Sequence, residues 1–234
     1  MSAVTAIWNK EFKDYFLTPI AYILIAVFLV LTGWFFFSTF FIKDQASMRG
    51  FFDLLPLLFA FFIPALTMRL ISEEISLGSY ELLSTLPVRT HQIILGKFLA
   101  CLCFVAVLLL PTLIYAFCID LVGDLDWGPV VGGYVGSLLL GGAYAAIGIL
   151  ASSLSRNQIV AFILAAAVCF TLAFLEEMLF FVPDTLQGLV SYLGTGPHFD
   201  NAARGVLESR DVIYFLSVIF LGLYATNLVL QSKE

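Results

Sequence analysis

The side chains in this sequence that could do chemistry are two neighbouring carboxylates and a histidine. Glu176 and Glu177 follow a long apolar run, and His198 lies further along the same mostly apolar stretch. Paired carboxylates near a histidine could bind a metal ion or exchange protons, but no third ligand stands at a metal-binding spacing. Because a carboxylate deep in lipid costs several kcal/mol, one interpretation places the pair at an outer membrane interface. The other makes Glu176, Glu177 and His198 candidates for an external gate.

The cysteines do not form a redox or metal motif. Cys101 and Cys103 stand one residue closer than in Cys-x-x-Cys, and neither a second pair nor a histidine accompanies them. All four cysteines lie within or at the edge of apolar runs, which is typical of unpaired residues in helices: Cys101, Cys103, Cys118 and Cys169.

Nucleotide and hydrolytic motifs are also missing. The sequence has no Gly-x-x-x-x-Gly-Lys-Ser/Thr loop whose backbone amides could hold phosphates, and Gly96-Lys97 lacks the upstream glycine. Neither His-Glu-x-x-His nor Gly-x-Ser-x-Gly occurs. We therefore expect no catalytic residue, no cofactor or metal site, no nucleic-acid partner and no ATP hydrolysis by this chain alone.

The elements that position these residues are membrane helices. Hydrophobic residues make up 61% of the chain and charged residues 12%, which excludes an ordinary soluble domain. The apolar residues form runs of about twenty, the length needed to cross a hydrocarbon core of roughly 30 Å. The sequence predicts an all-α integral membrane protein with a single transmembrane domain over 1–234 and six spans, at 20–42, 51–70, 95–119, 130–151, 158–182 and 212–230.

The basic residues indicate the orientation of these spans. Six spans place both termini on one side, and the excess of Lys and Arg favours the cytoplasm for that side. The cytoplasmic residues would be Lys10, Lys13, Arg69, Arg89, Lys97, Arg156 and Lys233, and the external ones Lys43, Arg49, Arg204 and Arg210.

The segment before the first span predicts an amphipathic helix. Within residues 1–19, apolar side chains at spacings of three and four include Ile7, Trp8, Phe12 and Phe16. Such a helix would lie in the membrane interface. It would act either as a plain anchor or as a lever that links a cytoplasmic partner to the first span.

The loop between the second and third spans is longer than two adjacent helices require. In this coupling loop, 71–90, Gly78 can end the incoming helix and Pro87 can end a short new helix. Its apolar leucines would be poorly placed in a solvated loop, which favours a protein-docking surface. The acidic pair Glu73 and Glu74 could meet a basic partner, or hold the loop against Arg69 or Arg89. The coupling residues would be Glu73, Glu74, Gly78, Glu81, Leu82, Leu83 and Pro87.

Two further segments have distinct patterns. Small residues recur every fourth position in the fourth span, at Gly133, Ser137, Gly141 and Ala145, which predicts close helix packing in lipid. The stretch 183–211 is too long and too apolar for a plain external loop. It predicts short re-entrant half-helices between the fifth and sixth spans.

Several of these motifs together resemble the permease subunits of ABC exporters, in the type-two permease group, and are most similar to the GldF-like permeases of gliding-motility transporters. The likeness covers nearly the whole chain. It rests on Trp8-Asn-Lys-Glu11-Phe, Pro19, Ser72-Glu73-Glu74, Gly78, Glu81-Leu82-Leu83, Pro87-Val88, Gly96-Lys97, Ser155-Arg156-Asn157-Gln158, Gly196-Pro197-His198-Phe199, Gly205 and Arg210-Asp211.

The resemblance implies a subunit of the bacterial inner membrane with an interface helix, a coupling helix and short external helices. It implies partner ATPase subunits that bind ATP and Mg²⁺, a second permease copy or a related permease, and a subunit with a large extracytoplasmic domain.

Three other functions remain open at this stage. A secondary transporter would show charges near mid-membrane and broken helices in matching halves, and the spans carry no such mid-span charges. A membrane scaffold would assemble other proteins without moving a substrate. An intramembrane enzyme would need a catalytic motif, and none is present.

Overall fold

The described residues of the N-terminal part of the chain form helices α1 to α5. A computed structural model of the chain describes residues 3–43, 47–79, 88–175, 177–178, 187–188, 192–206 and 208–232. Helix α1 is Ala3–Leu17, α2 is Pro19–Lys43, α3 is Arg49–Phe52, α4 is Leu55–Thr67 and α5 is Ser72–Ser76.

The second half contains longer helices. Helix α6 is Thr90–Leu109, a 3-10 turn covers Leu110–Thr112, α7 is Leu113–Asp120 and α8 is Trp127–Leu154. Helix α9 is Gln158–Phe174, α10 is Thr195–Ala203 and α11 is Ser209–Gln231. The regular structure in the described ranges is helical throughout, which confirms the all-α class.

Among the described residues, five helical stretches are long and apolar enough to span a membrane. They are Pro19–Ser38, Arg49–Ser76, Thr90–Asp120, Trp127–Leu154 and Ser209–Gln231. Helix α9 is apolar but has 17 residues, about 25 Å of helix. The predicted fifth span continued to residue 182, beyond the described part of that segment. The chain is therefore a multi-pass membrane protein, and the sixth span stays a prediction.

Local signals explain where the helices begin and break. Asp126 is the N-cap of α8, and its side chain accepts a hydrogen bond from the Gly128 amide at 3.0 Å. Asn157 is the N-cap of α9, and its side chain accepts one from the Ile159 amide at 2.9 Å. Pro111 lies in the 3-10 turn between α6 and α7, where it cannot donate a helix hydrogen bond. The third span is therefore a broken helix.

Helix α8 is the centre of the bundle because its small residues let other helices approach closely. A Cβ at Gly136 would lie 2.6 Å from Ala202 Cβ in α10, and one at Gly141 would lie 2.8 Å from Val105 Cγ1 in α6. Such distances are too short for any larger side chain. Helix α8 thus packs against the second, third and last spans and against α10.

Candidate functional site

A buried lysine joins three elements at one end of the bundle. Lys97 Nζ on α6 lies 2.9 Å from Glu11 Oε1 on α1 and 2.7 Å from Glu74 Oε1 on α5. The lysine is 1% exposed. We call Glu11, Glu74 and Lys97 the coupling junction, because a rigid displacement of α5 reaches α1 and α6 through these bonds.

The local sequence brings α1 close enough to α6 for this contact. A Cβ at Gly96 would lie 2.8 Å from Ile7 Cγ2, so only glycine leaves room for α1 at this position. One turn after Ile7, Glu11 then faces Lys97. Burying ions is costly unless each has a close partner, and here the lysine has two.

A second bond set fastens the junction between α4 and α5 to α8. Ser152 Oγ accepts hydrogen bonds from the amides of Ile71 at 3.1 Å and Ser72 at 3.0 Å, and it donates to the Met68 carbonyl at 2.9 Å. The amides at the start of a helix have no partner within the helix. A side chain of another span therefore caps α5, and α5 cannot turn freely relative to α8.

A cavity of about 360 Å³ opens beside the coupling junction. Its charged lining consists of four carboxylates, from Glu11, Asp14, Glu73 and Glu74, and three cations, from Lys10, Arg69 and Lys97. The carboxylates outnumber the cations by one. Glu74 Oε2 is buried without a hydrogen-bond partner among the described residues. The cavity wall is thus charged and slightly acidic.

Arg69 and Tyr15 contact each other in the same cavity. Arg69 donates to Thr18 Oγ1 at 3.3 Å and stands over the Tyr15 ring at 5.5 Å. Burial raises the pKa of Tyr15 well above its usual value, and the neighbouring Cys101 and Glu11 raise it further. The phenol therefore stays neutral.

Lys10, at the rim of the cavity, has a raised pKa. Burial lowers the pKa of Lys10, but nearby Glu11, Glu74 and Asp14 together raise it by more, so its pKa is above the usual value. Lys10 therefore stays charged at neutral pH.

The coupling residues predicted from the sequence are only partly described. Glu73 and Glu74 are in α5, and Gly78 follows it with a φ of +69°, a left-handed conformation that ends many helices. Glu74 pairs with Lys97, and neither of the two arginines considered from the sequence is its partner. Glu81, Leu82, Leu83 and Pro87 lie outside the described residues.

The predicted apolar stripe of α1 packs as an aromatic ladder. The Trp8 and Phe12 rings are 6.0 Å apart, Phe12 and Phe16 are 5.2 Å apart, and Phe16 meets Phe104 of α6 at 5.8 Å. Ile7 contacts α6 at Gly96. The stripe thus faces α6 in part, and its four side chains are half-buried rather than exposed.

The small residues predicted for packing are all buried. Gly133 faces the Phe52 ring, Gly141 faces Val105, and Ser137 donates to the Gly133 carbonyl at 2.6 Å. Ala145 is fully buried. These positions lie where α8 meets the second and third spans.

A histidine cluster occupies the opposite end of the bundle. His198 Nδ1 is 2.6 Å from Asp211 Oδ1, His198 Nε2 is 3.1 Å from the Tyr192 carbonyl, and Asn201 Nδ2 donates to Asp211 Oδ2 at 3.0 Å. The imidazole stacks on the Tyr214 ring with 4.1 Å between centroids. We call these five residues the histidine cluster. It ties α10 and residues 192–193 to α11.

The two glutamates predicted beside this region are not part of the cluster. Glu177 is exposed on an outer cavity of about 520 Å³, whose charged lining also contains Arg49, Asp53, Asp200 and Arg204. Glu176 lies outside the described residues. Among the described residues, no group of three or more His, Cys, Asp or Glu side chains is arranged to hold a metal ion.

The basic residues that line the two cavities fall into separate groups. Lys10, Arg69 and Lys97 line the cavity at the coupling junction, whereas Arg49 and Arg204 line the cavity beside Glu177. The two cavities lie at opposite ends of the second span.

Three residues of these sites have roles that sequence analysis missed. Lys97 was assigned to the cytoplasmic basic residues and to the motifs of the resemblance, and Glu11 and Asp211 to those motifs alone. A single lysine just inside an apolar run was the available signal, because an ion buried at that depth needs a partner. The identity of the partner depends on the fold.

The comparisons with known proteins identify one family. The family described as ABC-2 family transporter protein matches residues 43–195, about two thirds of the chain. The match includes Glu74 and Lys97 of the coupling junction but not Glu11. No curated protein matches the chain.

Proposed function

Because the chain belongs to the ABC-2 family of transporter proteins, we propose that separate cytoplasmic ATPase subunits drive it by pushing on its coupling loop. Membership makes the chain a membrane permease of an ABC-type system, a transport subunit that is not itself catalytic. The proposal adds the source of energy and the place at which force enters.

The coupling junction is the observation that supports this proposal. Lys97 bonds to Glu74 on α5 and Glu11 on α1, and Ser152 of α8 caps the same α5. Force applied to α5 is therefore transmitted to three other helices instead of being lost in a flexible loop. In such transmission, the packed helices rock as rigid bodies between two arrangements.

The complex that we propose has several further parts. Two ATPase subunits carry ATP and Mg²⁺, and a second permease copy or a related permease completes the path. The resemblance to GldF-like permeases adds a subunit with a large extracytoplasmic domain. We place the complex in a bacterial inner membrane, with both termini and the coupling loop in the cytoplasm, in keeping with the excess of basic residues on that side.

Transport then requires the outer ends of the spans to separate. We propose that α4 and α9, together with the external helices, open a path at the seam between the two permeases when the ATPases close. Glu177 and His198 stand near the outer ends of these elements. The substrate would be a lipid, glycan or peptide able to follow an apolar or amphipathic path.

The test removes the charges of the coupling junction while keeping its volume. Lys97→Met alone would leave two partly buried carboxylates without their cation, and the resulting destabilisation would be hard to distinguish from loss of coupling. The triple variant Lys97→Met, Glu11→Gln and Glu74→Gln leaves no buried charge at the site. We expect it to fold and to retain the ATPase.

The measurement is ATP hydrolysis by the reconstituted complex in lipid nanodiscs. We expect the triple variant to show only the rate of the ATPase without the permease, whereas Lys10→Gln, a rim variant, keeps the stimulated rate. Full stimulation in a folded triple variant would contradict coupling through this junction. An ATPase that never binds the wild-type permease would favour the scaffold function instead.

A further inference from the structure

Both nitrogens of the buried His198 face hydrogen-bond acceptors. Nδ1 is 2.6 Å from a carboxylate oxygen of Asp211, and Nε2 is 3.1 Å from the backbone carbonyl of Tyr192. His198 and Asp211 are each 4% exposed, so water does not replace either bond. A carbonyl oxygen can only accept, so Nε2 must carry a proton.

The proton count of the pair follows from this geometry. A neutral imidazole has one N–H, which the Tyr192 carbonyl uses, and the lone pair of Nδ1 would then face a carboxylate oxygen. The observed distance therefore requires a second proton between Nδ1 and Asp211 Oδ1. Asp211 is in the first turn of α11, where the helix dipole favours its anionic form. The same count holds whether the shared proton is nearer to the nitrogen or the oxygen.

Other polar groups around the imidazole do not supply this proton. Tyr214 stacks on the ring, and its hydroxyl donates to the Leu193 carbonyl at 2.6 Å. Tyr192 meets the ring edge-on, and Arg210 stands over the Tyr192 ring at 4.8 Å. On α8, the Tyr144 hydroxyl is bonded to Thr195 Oγ1 at 2.9 Å.

The second oxygen of Asp211 is also occupied. It accepts a hydrogen bond from the Asn201 amide at 3.0 Å, so the carboxylate meets donors on both sides. Removal of the shared proton would set the imidazole lone pair against a carboxylate at short range in a dry site. Such an unpaired buried arrangement is costly.

We propose that His198 and Asp211 form a buried proton-binding site that ties α10 and residues 192–193 to α11. The tied state binds one proton more than a state in which the contact is broken. By linkage, the tied state is favoured at low pH and is weakened as the pH on that side of the membrane rises. The site therefore gives the external end a rigidity that depends on pH, independently of how the ATPase is coupled.

The test measures amide hydrogen exchange of the Thr195–Ala203 helix in the full chain in nanodiscs. Exchange is compared at about pH 5.5 and about pH 8.5, which bracket the range in which imidazoles commonly titrate. Rates are divided by the intrinsic chemical rate at each pH. Since a hydrogen bond to a charged group is lost, we expect this corrected rate to rise about tenfold at the higher pH. Amides in the middle of α8 provide the internal reference.

Two variants separate the proton site from general stability. In Asp211→Asn, the new amide can donate to Nδ1 and accept from Asn201, while neutral His198 still donates to Tyr192. We therefore expect Asp211→Asn to keep slow exchange at both pH values. His198→Phe keeps the stack on Tyr214 but has no polar atom, and we expect fast exchange at both.

Each outcome decides the proposal. A wild-type rate without a rise above the α8 reference would overturn it, and so would a rise of the same size in Asp211→Asn. Slow exchange in His198→Phe at both pH values would show that the tie does not depend on the imidazole. If Asp211→Asn fails to fold, the wild-type pH series alone still supports or overturns the proton site.

Discussion

The coupling junction and the histidine cluster solve the problem of a buried charge in opposite ways. At one end, the ammonium of Lys97 lies between two carboxylates. At the other end, a single carboxylate meets an imidazole, and the proposed shared proton lies between them. The first end is thus tied by two ion pairs, while the tie at the second depends on the proposed proton. The function that we propose, in which force enters at one end and the path opens at the other, would require the two ends to differ in this way.

The largest effect is expected from breaking the permanent pair. Lys97→Met should lower the free energy of unfolding by about 3 kcal/mol, because two partly buried carboxylates lose their cation. The triple neutral variant should recover most of this loss. Thermal unfolding in nanodiscs at about pH 5.5 and about pH 8.5 measures both, in the titration range of imidazole.

The comparison requires the cost of Lys97→Met to be the same at both pH values, and that of His198→Phe to be smaller at the higher pH. If the lysine variant shows the pH dependence instead, the two ends have been assigned the wrong roles.

An intermediate effect is expected at the neutral hydrogen bonds that accompany each cluster. Ser152→Ala leaves two buried amides without an acceptor, which should cost about 2 kcal/mol. Tyr214→Phe removes one donor from the Leu193 carbonyl and should cost about 1 kcal/mol. Thr226→Val is the matched control, because its buried hydroxyl bonds only to the Gly222 carbonyl of its own helix. Denaturant titration gives the order, and a larger loss for Tyr214→Phe than for Ser152→Ala would reverse it.

The smallest effects are expected at the rims. Lys10 lies 3.5 Å from Glu11, and Arg204 lies 3.8 Å from Asp200, and both basic side chains are exposed. Exposed ion pairs commonly contribute under about 1 kcal/mol, so Lys10→Gln and Arg204→Gln should each change the unfolding free energy by less than that. A loss as large as that of Ser152→Ala would mean that these rims are part of the buried clusters.

The sequence predicted the fold class because lipid imposes simple rules on helices. Apolar runs of the right length must be helical in a bilayer, and small residues every four positions must pack closely. The break in the third span at Pro111 was not predicted, because a proline within an apolar run does not reveal whether neighbouring helices satisfy the freed carbonyls. The length of the fifth span was also uncertain, since its apolar pattern runs on beyond the helix.

The candidate sites were less predictable because their bonds join distant parts of the chain. Glu74 and Gly78 were identified from a loop of unusual length and composition. The partner of Glu74 was not identified, because Lys97 lies in a different helix. Lys97 in turn is separated from its other partner, Glu11, by 86 residues. The same holds for His198, which was noticed as an isolated histidine. Its partner Asp211 lies in a different helix, and only the fold brings the two side chains together.

At Gly78, the chirality of a substituted residue matters more than the volume of its side chain. Its φ is +69°, yet a Cβ added there would meet no atom of the described residues within 4 Å. An L-residue is therefore disfavoured by its own backbone and not by any neighbour. The chain selects handedness at this position, and a D-alanine introduced by chemical ligation should fit where L-alanine strains the backbone. By restricting the unfolded chain, the D-residue would also stabilise the fold by about 0.4–1 kcal/mol relative to the natural glycine.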